Sequence, residues 1–272
     1  MTRVAAVDLG TNSTRLLVAD VAGDELVELH RETRITRLGE GVDAGRLLLP
    51  AAVERVRACL ADYRRTIAGL GAERTLAVGT SAVRDAENGR EFLDGLGLPT
   101  RVLSGDEEAA LTFLGVGEPD ALVVDVGGGS TELVGPGIHV SLELGCVRLS
   151  ERFLRSDPPA ARELEACAAA VRDALPDVAA TRAIGVAGTF VSLAALAGEL
   201  TLQAVAAQVD RLAALTLVER RLVPGLEPER TPVIVGGAVI VRELLVRLRL
   251  PRIEVSVRDL LDGVAFELAR PA

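Results

Sequence analysis

The chain has 272 residues, of which 49% are hydrophobic and 25% charged, and its formal net charge is −9. This composition is typical of a globular protein, and the length suffices for two domains. The negative charge and an aromatic content of only 2% argue against a nucleic-acid-binding protein, which needs cationic patches or stacking surfaces.

Residue counts exclude several other classes. The sequence has no lysine, which excludes a P-loop lysine and a Schiff-base mechanism. His30 and His139 are too few for a histidine-rich zinc site or an ordinary Ser-His-Asp triad. Cys59, Cys146 and Cys167 are widely spaced, so we expect ordinary thiols. No apolar run reaches membrane-spanning length and no signal peptide precedes the first strand, so we expect a cytoplasmic protein without a membrane partner.

Apolar patterning predicts alternating strands and helices along the chain. In the first half it predicts strands at 3–9, 15–21, 25–30, 75–79 and 100–103, and helices at 50–71, 82–95 and 106–116. In the second half it predicts strands at 121–126, 131–135, 138–144, 182–187 and 252–256, and helices at 147–155, 160–174, 190–199, 202–213, 216–222, 231–248 and 258–269. Two such series predict an α/β protein with two mixed-sheet domains around a central cleft. Because residues 115–120 are rich in turn formers, we place the domains at 1–117 and 118–272.

Two segments of the chain resemble each other. Residues 4–17 read VAAVDLGTNSTRLL and residues 121–134 read ALVVDVGGGSTELV. Each is an apolar strand, an aspartate, a glycine-containing turn with hydroxyl residues and a second apolar strand, which predicts a β-hairpin. Tight turns expose backbone N–H groups to anions. We therefore predict two half-sites that face each other and bind phosphate from both sides.

The residue types in these turns suit phosphate and a cation. Asp8 and Asp125 stand at matching strand ends, where they could hold Mg²⁺ directly or through water. Glycine lets the backbone approach an anion closely, and short polar side chains add donors. The turn residues predicted to bind phosphate are Gly10, Thr11, Asn12, Ser13, Gly127, Gly128, Gly129 and Ser130.

Residues 79–88, GTSAVRDAEN, leave a strand and begin a helix. The free N–H groups of that helix end would point outward, and Arg84 would stand about one turn into the helix. On spacing alone, a solvent-exposed helix arginine is the simpler interpretation of Arg84.

Residues 104–115, SGDEEAALTFLG, predict a helix with Ser104 as its N-cap. Acidic residues in a first turn stabilise the positive end of the helix dipole, which explains at least two of Asp106, Glu107 and Glu108. One of the three remains available as a general base that orients water against a phosphoryl group.

With these segments in place, the chain resembles the exopolyphosphatase/guanosine pentaphosphate phosphohydrolase (Ppx/GppA) family of the actin-like, sugar-kinase and Hsp70 ATPase superfamily. The resemblance spans nearly the whole chain in the family's order. The matching motifs are DLGTNSTRLL (8–17), ITRLGEGVD (35–43), TSAVRDAEN (80–88), SGDEEA (104–109), VVDVGGGSTELV (123–134), LELGCVRLSERFLRSDPP (142–159), GVAGTF (185–190) and LTLVERRLVPGLEPER (215–230).

The resemblance implies two actin-like (ribonuclease H-like) domains. It also implies Mg²⁺-dependent release of terminal phosphate from inorganic polyphosphate or from guanosine pentaphosphate, in the cleft. It makes Glu108 the catalytic base, Glu132 a second essential carboxylate, and Asp8 and Asp125 metal-associated acids. It further implies that phosphate is bound by Asn12, Ser13, Arg15, Arg84, Gly128, Gly129 and Ser130, and that the chain can form a homodimer.

Three departures from the family pattern leave alternatives open. Ala110 replaces a common arginine, Val257 stands where an acid is expected, and the segment 196–212 looks shortened. A non-catalytic nucleotide- or polyphosphate-binding sensor is one alternative. A small-molecule kinase of the same superfamily is another, and residues 185–189 and 235–238 are its candidate Gly-rich loops for adenosine. The chain also lacks the family's longer helical extension, so we expect short chains or a nucleotide to be preferred over very long polyphosphate.

Overall fold

Each half of the chain builds a five-stranded mixed sheet in the computed structural model, which describes residues 1–270. The first sheet comprises β1 (Thr2–Leu9), β2 (Ser13–Ala22), β3 (Glu25–Ile35), β4 (Arg74–Gly79) and β5 (Thr100–Val102). The second comprises β6 (Leu122–Val126), β7 (Thr131–Gly135), β8 (Ile138–Leu142), β9 (Ala183–Val186) and β10 (Glu254–Val255). Their orders, β3-β2-β1-β4-β5 and β8-β7-β6-β9-β10, are the same: an antiparallel three-stranded meander extended by two parallel strands.

Helices connect and cover these strands. They are α1 (Val42–Gly45), α2 (Pro50–Leu70), α3 (Ser81–Asp85), α4 (Gly89–Asp94), α5 (Gly105–Val116), α6 (Cys146–Phe153), α7 (Ala161–Ala174), α8 (Ala187–Ala197), α9 (Leu202–Ala213), α10 (Leu217–Arg220), α11 (Ile234–Leu248) and α12 (Leu260–Ala269), with a 3-10 turn at Pro228–Arg230. None of the helices within residues 1–270 is long and apolar enough to cross a membrane. The three cysteines are buried free thiols, as expected.

The chain divides into two compact units. Unit 1 is Met1–Gly117 together with the described residues from Arg258 onward, and unit 2 is Glu118–Val257. The turn-rich segment 115–120 predicts a second domain of residues 118–272, whereas α12 packs on the first sheet. The reason is its apolar side, because Leu260, Leu261 and Val264 are almost wholly buried in a cluster with strands β1 and β2.

The first sheet is covered on both faces. Helix α12 and Leu111 of α5 pack on one face, and Leu60 and Tyr63 of α2 lie in the core of the other. Burial of apolar side chains on both faces fixes the strands rigidly. The β1–β2 turn and the start of α5 are therefore held on a packed scaffold.

In unit 2, the long helix α11 is the centre of the core. Val235, Ala238, Val241 and Leu244 are all at most 1% exposed and lie in one cluster with the second sheet. Helices α6, α7, α8 and α9 contact α11 in that unit. Helix α6 directly follows the meander and is held in this way beside the β6–β7 turn.

One predicted helix is broken in the structure. Residues predicted as a single helix at 82–95 form α3 and α4, separated by Ala86 in an extended conformation. A side chain at Gly89 would overlap the carbonyl oxygen of Val83, so glycine permits the sharp change of direction. The apolar periodicity continues across the break, which is why the sequence pattern alone predicted one helix.

Candidate functional site

Both predicted hairpins are present, and their turns are closed by the same hydrogen bond. Gly10 N donates to Ser13 O over 3.0 Å in unit 1, and Gly127 N donates to Ser130 O over 3.0 Å in unit 2. In both units an aspartate precedes the turn and is paired across the hairpin with a charged residue, Arg15 or Glu132. The internal repeat therefore extends from sequence to backbone geometry.

The carbonyl groups of the β6–β7 turn are held by helix α6. Cys146 N donates to Gly127 O over 3.0 Å and Val147 N to Gly128 O over 2.9 Å. The side chain of Arg148 donates from Nε to Gly129 O over 2.7 Å. Because a trans peptide points its C=O and N–H in opposite directions, the N–H groups that follow these three carbonyls point away from α6. The N–H groups of residues 128–130 are thus directed to the side of the turn opposite α6, an arrangement of donors that suits an anion.

The β1–β2 turn is held by the segment after β3. Thr11 O accepts from Gly39 N over 2.8 Å, and Asn12 O accepts from Thr36 N over 3.1 Å and from Arg37 N over 2.9 Å. By the same peptide geometry, the N–H groups of residues 12 and 13 point to the opposite side. A hydrogen bond of 2.9 Å between the hydroxyls of Thr14 and Thr36 fixes the segment.

Asp8 is a buried carboxylate of which one oxygen, Oδ2, accepts hydrogen bonds. Its side chain is almost wholly inaccessible, and Nε and Nη2 of Arg15 both lie 2.8 Å from Oδ2. Nη1 of Arg15 also donates to Asp259 Oδ2, so one guanidinium joins two carboxylates. The other oxygen of Asp8, Oδ1, is buried and accepts no hydrogen bond from residues 1–270. Burial raises the pKa of Asp8, and the Arg15 guanidinium only partly opposes this effect.

Unit 2 has two buried carboxylates side by side. Asp125 and Glu132 are cross-strand partners, 5% and 1% exposed. Ser141, on the next strand, donates from its hydroxyl to Glu132 Oε1 over 2.6 Å. This short bond orients the Glu132 carboxylate.

Of the three acids in the first turn of α5, Asp106 is exposed, Glu107 caps the helix and Glu108 is buried. Ser104 and Glu107 form a capping box, in which Ser104 N donates to Glu107 Oε2 over 2.8 Å and Glu107 N donates to Ser104 Oγ over 3.2 Å. Glu108 faces inward and is only 7% exposed. Nη1 of Arg84 lies 3.2 Å from Glu108 Oε2 and also donates to Leu103 O over 2.8 Å.

Arg84 is therefore not a freely solvated helix arginine. Its side chain is 23% exposed and is fixed beside Glu108. The predicted site residues thus occur in three sets: the hairpin of unit 1 with Asp8 and Arg15, the Arg84–Glu108 pair of unit 1, and the hairpin of unit 2 with Asp125 and Glu132.

The carboxylates offer oxygen donors that suit a hard divalent cation. No group of three or more acidic, histidine or cysteine residues in the described part of the chain could hold a metal alone. Mg²⁺ is commonly bound by one or two carboxylates, with substrate phosphates and water completing its shell. The buried, unbonded Oδ1 of Asp8 fits that role, and Asp125 stands at the equivalent position of the second hairpin.

The candidate adenosine loops are filled by packing. A side chain at Gly185 would overlap the ring of Phe190, and one at Gly188 would overlap the Arg230 guanidinium. Gly236 and Gly237 bring α11 close to α6 and to Thr189. Close packing against neighbouring side chains and helices thus accounts for these glycines without a nucleotide.

Sequence reasoning missed three residues that position the predicted site: Ser141, Arg148 and Asp259. Ser141 faces Glu132 across a strand pair, so strand register could have revealed it. Arg148 lies within the motif at residues 142–159, but nothing in that motif indicates its bond to the turn. Asp259 is 244 residues from Arg15, and no local pattern indicates that contact.

Comparisons with known proteins agree on one family. The model of the Ppx/GppA phosphatase family matches residues 17–271. Exopolyphosphatase 2 of Mycobacterium tuberculosis is 41% identical over 99% of both chains. Among solved structures, an exopolyphosphatase-like protein has 32% identity and a TM-score of 0.90 over 98% of both chains. The Aquifex aeolicus PPX-GPPA enzyme has 29% identity and a TM-score of 0.80, covering 98% of this chain and 99% of its own.

Proposed function

The chain belongs to the Ppx/GppA phosphatase family and is a phosphoanhydride hydrolase, and on that premise we propose that it releases terminal phosphate from polyphosphate or guanosine pentaphosphate with Mg²⁺. The predicted fold class, two mixed α/β sheets of the actin-like type, is confirmed by the architecture and by its structural relatives. Polyphosphate hydrolysis is the activity named for its relatives, whereas the nucleotide and the identity of the metal ion belong to the proposal.

The buried Glu108 beside Arg84 is the observation that carries the proposal. Glu107 is used by the helix cap, which leaves Glu108 as the inward-facing acid at the start of α5. In the proposed reaction, a Glu108 carboxylate oxygen accepts a proton from water while the water oxygen attacks the terminal phosphorus. The bond to the bridging oxygen breaks, and the shortened chain leaves with the electron pair of that bond.

The other residues act by binding and positioning. Phosphoryl transfer depends mainly on charge neutralisation and alignment, which backbone donors and arginine provide. The N–H groups of residues 12–13 and 128–130 are proposed to bind phosphate oxygens, and Arg84 to hold Glu108 in orientation. Glu132, oriented by Ser141, is proposed as a second essential carboxylate.

Asp8 is the proposed cation ligand of unit 1, and Asp125 is the equivalent candidate in unit 2. When bound, Mg²⁺ would neutralise charge on the phosphate oxygens. Asp8 supplies the buried Oδ1, while its Oδ2 stays paired with Arg15. Removal of divalent ions with a chelator should therefore abolish phosphate release, and titration with Mg²⁺ should restore it.

The first experiment measures phosphate release from tripolyphosphate, long polyphosphate and guanosine pentaphosphate with Mg²⁺. Glu108→Gln is expected to lower kcat by at least ~100-fold, because general acid–base groups commonly contribute that much. Glu107→Gln is the matched control, since glutamine also completes a capping box and should keep kcat near that of the wild type.

Each outcome decides a separate point. Wild-type turnover in Glu108→Gln would contradict its assignment as base. Binding of substrate without any phosphate release by the wild type would favour the sensor interpretation. A preference for the longest polymer would contradict the expected preference for short chains or a nucleotide.

A further inference from the structure

The β6–β7 turn rests on a buried arginine that the hydrolytic mechanism above does not use. Arg148 lies in the first turns of α6, and its side chain is only 6% exposed. Its Nε donates to Gly129 O over 2.7 Å, and its backbone N donates to Gly128 O over 3.2 Å. One residue therefore fixes two successive carbonyls of the turn.

The contact also places a positive charge behind the turn. Hydrogen bonds to a charged donor are stronger than those between neutral groups, and they polarise the peptide that accepts them. The peptide that contains Gly129 O continues into the N–H of Ser130. That N–H should consequently be a stronger donor toward an anion.

An exposed carboxylate, Glu143, balances part of the positive charge of Arg148. Glu143, at the end of the meander, has an exposed side chain, 66% accessible, whose Oε2 lies 2.9 Å from Nη2 of Arg148. The buried guanidinium thus has a carboxylate on its outer side and the phosphate-binding turn on the other. Removing the Arg148 charge should make the electrostatic potential at the turn more negative. Removing the Glu143 charge should make it more positive.

We propose that Arg148 is a positioning residue that fixes the β6–β7 turn with its N–H groups toward phosphate and sets the affinity of that turn through its charge. Glu143 attenuates this effect. The proposal rests on the proposed function, since it assumes that the turn of residues 127–130 binds phosphate.

The test compares Arg148→Met, Arg148→Lys and Glu143→Gln. We measure KM and kcat for tripolyphosphate (inorganic triphosphate) with Mg²⁺ and, separately, its Kd by calorimetry after removal of divalent ions, when no hydrolysis is expected. Arg148→Met should raise Kd and KM at least about tenfold, given the strength of a buried charge-assisted hydrogen bond. Arg148→Lys should fall between Arg148→Met and the wild type. Glu143→Gln should lower Kd and KM by roughly two-fold, because an exposed partner acts weakly, and high salt should erase the difference.

The opposite changes of Kd expected for Arg148→Met and Glu143→Gln distinguish a positioning role from a purely stabilising one. A structural ion pair would lose stability in both variants and would shift affinity in the same direction or not at all. Either of those results, or an unchanged Kd in Arg148→Met, would overturn the proposal. If Arg148→Met does not fold, the lowered Kd of Glu143→Gln remains decisive.

Calorimetry keeps the two proposals distinguishable. If the wild type binds triphosphate but hydrolyses none of the substrates, the proposed function fails, while the Kd values still test Arg148. If the wild type hydrolyses polyphosphate and the variants leave Kd and KM unchanged, only the role of Arg148 fails.

Discussion

Asp8 shows at the level of one side chain how burying a carboxylate disfavours its ionised form. The carboxylate is buried, one oxygen is paired with Arg15, and Asp259 competes for the same guanidinium. Burial raises the pKa of Asp8 above its ordinary value of 3.8, so the ionised form is disfavoured in the folded protein. A carboxyl group with a raised folded-state pKa stabilises the fold most when protonated, and this contribution is lost as pH rises through the raised value.

Asp8→Asn should therefore stabilise the ligand-free protein at neutral pH while lowering its activity. We expect Tm at pH 7 to rise, because asparagine removes the buried negative charge while keeping nearly the same side-chain shape. The gain should shrink as the pH approaches 3.8, because the wild-type carboxyl is then protonated as well. Thermal melts from neutral to acidic pH measure the effect.

Asp20→Asn is the control variant, for which we expect a change of Tm in the opposite direction. Its hydrogen bond from Arg3 lowers the pKa of Asp20, so its stabilisation is present above its ordinary pKa and is lost as pH falls. This variant should lower Tm at neutral pH slightly and leave phosphate release unchanged. A Tm at pH 7 below that of the wild type in Asp8→Asn would contradict the account of Asp8.

At the level of secondary-structure elements, α5 and α12 pack unusually closely. A side chain at Gly263 would overlap the carbonyl oxygen of Leu111, and one at Gly115 would overlap that of Asp259. Glycines on both helices therefore let their backbones touch. Because α5 also carries Glu108, the position of the proposed base depends on this contact.

Gly263→Ala should separate the two helices. We expect a loss of about 1–3 kcal/mol in unfolding free energy, the usual cost of overpacking, together with a lower kcat. Gly69→Ala in α2 meets no atom within 4 Å and should instead stabilise the protein by about 0.5–1 kcal/mol. Urea denaturation of both variants tests the difference, and equal stabilities would refute the packing argument.

Secondary-structure elements could be predicted from the sequence where local residues determine them. The start of α2 at Pro50 and its end before Gly71 follow from punctuating residues, and the hairpins follow from alternation around glycine turns. The break between α3 and α4 depends on the contact of Gly89 with Val83, which periodicity does not encode. The pairing of Arg15 with Asp259 and of Arg148 with Gly129 likewise depends on tertiary packing.

At the level of the whole molecule, two units share one sheet topology and one type of turn. The strand orders are the same, and each turn begins with an aspartate and is closed by a bond of 3.0 Å. The charged partners differ, with Arg15 in unit 1 and Glu132 in unit 2. The two units thus have the same backbone arrangement at these turns but different charges beside them.

If residues of both turns bind phosphate, a negative charge in either one should weaken binding. Asn12→Asp and Ser130→Asp should each raise the Kd of inorganic triphosphate at least about tenfold, because like charges a few ångströms apart repel strongly away from bulk water. Ala51→Asp adds the same charge at the exposed start of α2, where an acid is tolerated, and should leave Kd unchanged. An unchanged Kd in either turn variant would remove that turn from the proposed site.

The return of α12 to the first sheet has a consequence for biosynthesis. Unit 2 is one uninterrupted stretch, Glu118–Val257, and can close as soon as it has left the ribosome. Unit 1 begins first but lacks part of the cover on one face of its sheet until residues 260–269 emerge. The part of the chain translated first can therefore finish folding only after unit 2 has been translated, and the helix that carries Glu108 gains its packing partner only once α12 has been made.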